Sequence, residues 1–201
     1  MVHRSSTARN MLRHVAIAAF VVSLLPVAVF AQAAPVDRRD AAIFKDVAKQ
    51  VSGYTRFTVF DDIQASVTQG VVCLYGKVTM PYKRDDIGRR VAGIAGVRQV
   101  VNKIAVLPVS QFDDDLRYQI ARAIYGNPSF WHYASMVNPP IHIVVENGRV
   151  TLTGVVNNDV EKMLARSLAT GSNAFSVQSL LKTDAEARAD LEKVEKASGS
   201  E

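Results

Sequence analysis

The chain has 201 residues, with 24 Lys and Arg against 19 Asp and Glu, four His and one Cys, which suits one large domain or two small ones. About half of the residues are apolar and a fifth are charged, so the composition is neither collagen-like nor disordered. The single Cys excludes a disulfide framework within the chain and also a Cys-rich zinc site.

The first 33 residues have the pattern of a secretory signal peptide. Three Arg and no acidic residue precede an uncharged run over residues 15–30, and the Ala-Gln-Ala sequence at 31–33 is typical of a cleavage site. An uncleaved membrane anchor is the alternative, but the apolar run is short for a span, and the absence of a nearby Cys excludes lipoprotein processing. We predict export to a bacterial periplasm, with a mature chain that starts at Ala34 and has no integral membrane span.

The net charge is distributed unevenly along the chain. It is +5 over residues 37–107, zero over 108–183 and −3 over 184–201. Because the basic excess of the predicted mature chain is confined to its first half, nucleic-acid binding is not expected. An anionic surface remains a candidate partner of that half alone.

The chain contains an internal repeat of about 70 residues. Positions of the same chemical type recur at an offset of 73 near residue 40 and at an offset of 78 further on, which places a five-residue insertion at 136–140 in the second copy. We assign the copies to residues 37–107 and 111–183. A charged tail follows at 184–201, for which a frayed helix or a flexible segment is expected.

Both copies predict the same elements in the same order. Apolar residues four apart predict an opening helix, with Asp40 or Asp113 as its N-cap and Gly53 or Gly126 as its C-cap. Two alternating runs then predict a hairpin, followed by a second helix and a last strand. The predicted fold class is α+β: two tandem small α/β sandwiches, each helix-strand-strand-helix-strand with two helices on one face of a three-stranded sheet. Since units of this size are near the lower limit for an independent core, we expect them to pack together.

The hairpin of each copy carries the motif G-x-V-x-L-x-G-x-V, as GVVCLYGKV at 70–78 and GRVTLTGVV at 148–156. A Gly-Val turn and an Asn follow in the first copy, whereas the second has Asn-Ala-Phe at 173–175. Together with the duplication and the export signal, this pattern resembles the BON domain family, in particular periplasmic proteins with two such domains. Structural roles are expected for the motif residues, Gly70, Gly76, Gly96, Asn102, Gly148 and Gly154.

The resemblance implies a non-catalytic envelope module. Proteins of this family are linked to anionic phospholipid binding, outer-membrane integrity, osmotic stress and the folding of exported proteins. Two functions are therefore expectations. The first is support of envelope integrity or stress tolerance through weak binding to anionic phospholipid headgroups, and the second is a chaperone or adaptor role for exported client proteins.

The strongest interaction signal is a basic cluster on the second predicted helix of the first copy. Its members are Lys83, Arg84, Arg89 and Arg90. Such a cluster suits phospholipid headgroups, at about 1 kcal/mol for each basic residue near an anionic membrane. Asp85 and Asp86 lie inside it, so a solvated, salt-bridged helix face is the alternative.

A second candidate surface is aromatic. Trp131 and Tyr133 lie beside the inserted Pro139-Pro140 loop, in a segment richer in aromatic residues than core packing requires. Aromatic side chains of this kind anchor proteins at membrane interfaces. Core packing is the alternative.

A hydrolase or metalloenzyme is the remaining hypothesis, and it requires reactive side chains to converge in a pocket. His132 and His142 are expected to be surface histidines, and Cys73 is expected on the outer face of the sheet, where an intermolecular disulfide or no role is foreseen. The acidic run at 113–115 suits the start of a helix. We therefore expect neither catalytic residues, nor a metal, nor a cofactor.

Overall fold

The structure is a computed structural model that describes residues 38–198 of the chain. The predicted signal peptide and its cleavage site lie outside the described residues. Both repeats belong to one compact unit. Over residues 38–198, no helix combines the length and apolar character needed to cross a membrane.

The first repeat folds in the predicted order. Its elements are α1 (Arg38–Ser52), β1 (Asp62–Thr68), β2 (Val71–Val78), α2 (Pro81–Ala92) and β3 (Gln99–Val106). β1 and β2 form an antiparallel hairpin, and β3 pairs with β2 in parallel, so the strand order is β1-β2-β3. The last pairing is parallel because α2 carries the chain back across the sheet before β3 begins.

The core of the first repeat lies between its sheet and its two helices. α1 packs on β1, and α2 packs on β2 and β3. Alternation along β2 directs every second side chain toward the helices. The most buried members of this core are Ile43, Val47, Val72, Leu74, Val78, Ile87, Val91 and Ile104. The predicted α+β class, with two tandem small units, is confirmed.

The second repeat keeps this order and adds to it. Its elements are α3 (Gln111–Tyr125), a 3₁₀ turn (Pro128–Phe130), α4 (Trp131–Ala134), β4 (Ile141–Glu146), β5 (Arg149–Val156), α5 (Asp159–Thr170), β6 (Ser176–Ser179) and β7 (Lys182–Thr183). The 3₁₀ turn and α4 occupy the longer connection before the hairpin. The predicted last strand is divided into β6 and β7, and both pair in parallel with β5.

A sixth helix, α6 (Asp184–Ser198), follows the second repeat. It begins with a capping box, in which the Thr183 hydroxyl accepts from the Glu186 N–H at 3.2 Å and the Glu186 carboxylate accepts from the Thr183 N–H at 2.8 Å. Glu186 also accepts from Lys162 of α5 at 2.8 Å. Of the two states expected for this segment, the structure has the helix, because these contacts stabilise its first turn.

The two repeats pack against each other, as their small size led us to expect. The Val59 carbonyl, in the connection between α1 and β1, accepts from the Ile143 N–H of β4 at 2.6 Å. Phe60 of the same connection packs against the core of the second repeat. Lys77 of β2 forms an ion pair with Glu146 of β4. The connection at 53–61 therefore belongs to the first repeat in sequence but packs against the second repeat.

Candidate functional site

A buried aspartate holds the hairpin turn of each repeat. Asp40 accepts from both backbone N–H groups of the turn at 69–70, at 2.6 and 2.8 Å, and Asp113 accepts from both groups at 147–148, at 2.8 and 2.7 Å. The prediction that these aspartates are N-caps is wrong, because each lies inside the first turn of its helix and points to the hairpin. In α3 the N-cap is Ser110, which accepts from the Asp113 N–H. Both carboxylates are structural clamps.

Two motif glycines allow the chain to pass very close to a neighbouring strand. Gly76 and Gly154 have φ of 120° and 115°. A Cβ at Gly76 would lie 2.1 Å from the Asp62 carbonyl oxygen, and one at Gly154 would lie 1.8 Å from that of Pro140. Any side chain at these positions would displace the backbone of the neighbouring segment.

The remaining motif residues also lie at points of close packing. Gly70 and Gly148 end the two clamped turns. Gly96 lies in a turn with φ of 89°, where a Cβ would lie 3.3 Å from the Ile43 side chain of α1. Asn102 of β3 donates from its amide to the Arg84 carbonyl at 2.9 Å, which ties β3 to α2. These contacts give the motif a role in the fold.

Lys83 does not belong to a surface cluster. It precedes Ile87 by four residues, so it falls on the buried stripe of α2 and is only 4% exposed. Its Nζ donates to the fully buried Asp61 carboxylate at 2.6 Å and to the Thr79 hydroxyl at 2.8 Å. Asp61 also accepts from the N–H and hydroxyl of Thr58 and of Thr79, at 2.8 to 3.0 Å. This satisfied buried ion pair anchors the connection that holds the second repeat.

Arg84 is separated from the other arginines of α2. Its guanidinium pairs with Asp85 at 2.9 Å, and its carbonyl is bound by Asn102, so it lies on the side of the helix that faces β3. Residues 84 and 89 are about 140° apart on a helix of 3.6 residues per turn. The predicted four-residue cluster is thus not a single surface.

Arg89 and Arg90 face the connection between α1 and β1. Arg89 pairs with Asp86, and the Arg90 guanidinium lies over the Tyr54 ring, 5.5 Å from its centroid. The Tyr54 hydroxyl donates to Asp86 at 2.6 Å. Burial, followed by this hydrogen bond, raises the pKa of Tyr54 to about 12. The hydrogen bond from Tyr54, followed by Arg89, holds the pKa of Asp86 below its usual value.

A third arginine, absent from the sequence prediction, completes this side of the first repeat. Arg56 lies over the Tyr82 ring, 5.2 Å from its centroid. Tyr82 is 44% exposed and Met80 beside it is 47% exposed. We call this set the arginine–tyrosine surface, and its members are Arg56, Met80, Tyr82, Arg89 and Arg90. Sequence reasoning missed Arg56 because it lies 26 residues from the ring that it covers.

The aromatic candidates separate into one exposed and one buried residue. Trp131 is 61% exposed and donates to the Gly126 carbonyl at 3.3 Å. Tyr133 is buried, so it cannot belong to a binding surface, and core packing explains it. Its hydroxyl donates to Glu161 at 2.6 Å and accepts from the Asn157 N–H at 2.9 Å. Burial, followed by the bond to Glu161, raises the pKa of Tyr133 to about 12.

Within residues 38–198, His132, His142 and Cys73 lie in different surroundings. His132 is at the surface, 3.9 Å from Glu161, whereas His142 is largely buried, with its ring 5.3 Å from that of Phe57. His142 was expected at the surface, but the connection at 53–61 covers it. Cys73 lies between Ser66 and Val101 across the first sheet. Over residues 38–198, no group of three or more His, Cys, Asp or Glu side chains is placed to hold a metal ion.

The match to one family model agrees with the duplicated architecture. A family model described as BON domain matches residues 39–108 and 113–182. Among solved structures, the chain is similar to CdsD, a structural protein of the type III secretion system of Chlamydia trachomatis, with 14% identity, 75% of this chain and 97% of that chain covered, and a TM-score of 0.27. The CdsD C-terminal domain gives 15% identity, 72% and 66% coverage, and a TM-score of 0.29. No curated protein matches the chain.

Proposed function

The chain belongs to the BON domain family, with two copies of the domain, and from that membership we propose that it supports the bacterial envelope by binding weakly to anionic phospholipid. BON domains are generally non-catalytic and occur in periplasmic and envelope proteins. We propose that residues 1–33 direct export and are removed, so that the mature chain acts in the periplasm and contributes to envelope integrity or stress tolerance.

The arginine–tyrosine surface is the observation that carries this proposal. It combines three exposed guanidinium groups with two partly exposed side chains, Tyr82 and Met80, that suit the boundary between headgroups and acyl chains. Because Arg89 is paired with Asp86, the remaining two arginines contribute about 2 kcal/mol near an anionic membrane. That free energy corresponds to weak binding that salt screens.

The first repeat is the better candidate for the membrane-facing unit. Of the arginines in this surface, Arg56 and Arg90 are replaced by Ser at the equivalent positions of the second repeat, offset by 73 and 77, whereas Arg89 is retained as Arg166. Its net charge is zero over residues 108–183. Trp131 is a separate exposed aromatic residue that supplements the first surface in this proposal.

Flotation of the mature chain with vesicles tests the proposal. We expect the chain to float with phosphatidylglycerol vesicles at low salt, to float less at high salt, and not to float with phosphatidylcholine vesicles. The test variant replaces Arg56, Arg89 and Arg90 by Gln. The control replaces Arg122, Arg149 and Arg166 by Gln, which removes the same charge from exposed positions of the second repeat. Equal loss of flotation in both variants, or no flotation at all, contradicts the proposal.

The alternative function is that of a periplasmic chaperone or adaptor for exported proteins under osmotic stress. It predicts that the mature chain slows aggregation of an unfolded outer-membrane protein in the absence of lipid. Under this alternative, the triple Arg→Gln variant keeps its activity, because the arginine–tyrosine surface is not needed. The same two variants therefore discriminate between the two functions.

A further inference from the structure

A groove of about 640 Å³ follows the open edge of β1. Four successive residues of β1, 62–65, line it. Neighbouring residues of a strand point to opposite faces of a sheet, so four in succession line one groove only where that groove runs along the strand edge. In the part of the chain that the structure describes, β1 pairs only with β2. Its other edge therefore presents backbone N–H and C=O groups to the groove.

The two walls of the groove differ in character. α1 supplies an apolar wall that includes Phe44, Val47 and Val51. The opposite wall comes from the second repeat and α6, and it contains His142, Val155, Lys182, Ala187 and Asp190. An extended segment lying between these walls would meet apolar side chains on one side and mixed side chains on the other.

Unpartnered polar atoms lie at the same place. His142 lines the groove, and its Nδ1 is buried without a hydrogen-bond partner. Thr153, the residue opposite His142 on β5, is 7% exposed, and its hydroxyl also has no partner. Thr153 lines an adjoining groove of about 850 Å³, which also includes Asp62 and Gln64. Both atoms are enclosed by the protein, so an occupant of the groove reaches them only if their side chains rotate toward it.

We propose that this groove binds an extended peptide of a partner polypeptide, which adds as a fourth strand to the edge of β1. Such a peptide supplies backbone hydrogen bonds to the strand and places alternate apolar side chains against α1. Lys182 is paired with Asp190 at 2.9 Å, so Asp62 leaves the groove with a net negative charge, and a neutral or basic peptide is favoured over an acidic one. The residues that line the groove differ from those of the arginine–tyrosine surface, and the proposal does not depend on lipid binding.

A second copy of this chain fits the groove less well than a free peptide. The β1 edge of a second copy would itself lie between an α1 helix and a second repeat. If two such recessed edges faced each other, the groove walls of the two copies would collide before the two β1 backbones came close enough to pair. A short extended segment enters without that clash, and residues 62–65 of β1 are available to pair with it.

A synthetic peptide tests the proposal. The probe is a fluorescently labelled nine-residue peptide of alternating Val and Thr with one central Lys, capped at both ends. We expect it to bind the mature chain and to shift the backbone amide resonances of residues 62–65. Methylation of alternate peptide nitrogens removes the donors that a strand needs, so we expect the methylated peptide to bind about tenfold more weakly or not at all.

Two protein variants locate the binding. Phe44→Ser removes an apolar side chain from the groove wall and is expected to weaken binding about tenfold. Phe112→Ser is the matched control, because Phe112 has nearly the same exposure, 46% against 44%, and does not line the groove.

Several results would overturn the assignment. One is equal affinity for the methylated and unmethylated peptides, and another is the absence of binding at millimolar peptide. An equal effect of the two Phe variants, or resonance shifts confined to other elements, would also do so. Concentration-dependent dimerisation that protects the amides of residues 62–65 from exchange would identify a second copy as the occupant instead. Equal binding of a peptide with Glu in place of Lys would remove the charge preference.

Discussion

The two repeats share a framework and present different surfaces at the same end of it. Asp40 and Asp113 clamp the hairpin turns in the same way. Beside the clamped turn, the first repeat has Arg98, which donates to a turn carbonyl at 2.7 Å. The second has Phe175 at the equivalent place, 76% exposed and stacked on Phe112 with ring centroids 5.7 Å apart. The two repeats thus share the buried clamp, while the exposed position beside it carries a charged residue in one repeat and an apolar residue in the other.

The connection between the first helix and the first strand shows the opposite kind of difference. In the first repeat it is anchored by the buried Lys83–Asp61 pair and reaches over the second repeat. In the second repeat it is longer and turns back on its own core, where Phe130 is fully buried and Tyr133 is bonded to α5. The segment of the first repeat packs on the second repeat. That of the second repeat mainly completes its own core, and it reaches the first repeat through Asn138, which donates to the Ser52 carbonyl at 2.8 Å.

The largest effect that separates the repeats is expected at the buried ion pair. Lys83→Met leaves the Asp61 carboxylate buried without its countercharge, which costs about 3–5 kcal/mol of the free energy of unfolding. The equivalent change in the second repeat, Val160→Met, is at an exposed position and is expected to stay within about 0.5 kcal/mol. Urea unfolding of both variants measures the difference, and equal midpoints would contradict the assigned role.

The shared clamps provide the next test, and here the repeats are expected to agree. Asp40→Ala and Asp113→Ala each remove two hydrogen bonds to a carboxylate and leave turn N–H groups unpaired, for a loss of about 2–3 kcal/mol in each case. Asp46→Ala, at an exposed position of α1, is the control. Losses that differ by more than about 1 kcal/mol between the two clamps would show that the repeats do not share this framework.

Two buried tyrosines sharpen the comparison further. Tyr54→Phe and Tyr133→Phe each remove a hydrogen bond to an acidic residue of the following helix, and about 1 kcal/mol is expected for each. Tyr133→Phe is expected to cost more, because its hydroxyl also accepts from the Asn157 N–H. Thermal unfolding ranks the two variants, and the reverse order would argue against that second bond.

The smallest effect is a dependence on pH at the junction. Burial lowers the pKa of His142 from its ordinary value of 6.5, against the opposing influence of Asp62 and Asp61 and of the Thr58 backbone. The unfolded chain therefore takes up this proton first as the pH falls. The His142 contribution to stability is present above pH 6.5 and is lost as the pH drops through that value toward the lowered pKa. The variant His142→Gln carries the residue found at the equivalent position 64 of the first repeat. In this variant, the decrease in the free energy of unfolding below pH 6.5 that is due to His142 is expected to disappear.

The sequence by itself determined the duplication, the order of the elements and the class of the fold. Apolar periodicity, the hairpin glycines and the insertion at 136–140 are local signals, and a local signal survives in any tertiary context. The motif glycines are an example. The need for Gly76 and Gly154 follows from the close passage of the neighbouring strand, which every copy of the hairpin repeats.

Only the tertiary structure decided which polar residues face solvent. Lys83, Tyr133 and His142 carry side chains that suit a surface, yet all three are buried or largely buried. Tyr133 and His142 are covered by elements that lie far away in sequence. Lys83 lies on the buried face of α2, although its neighbours in sequence are charged. Conversely, Arg56 belongs to the exposed surface because it lies over the ring of Tyr82, which is 26 residues away in sequence. Burial depends on what packs above a residue, and the residue's own neighbours in sequence do not encode it.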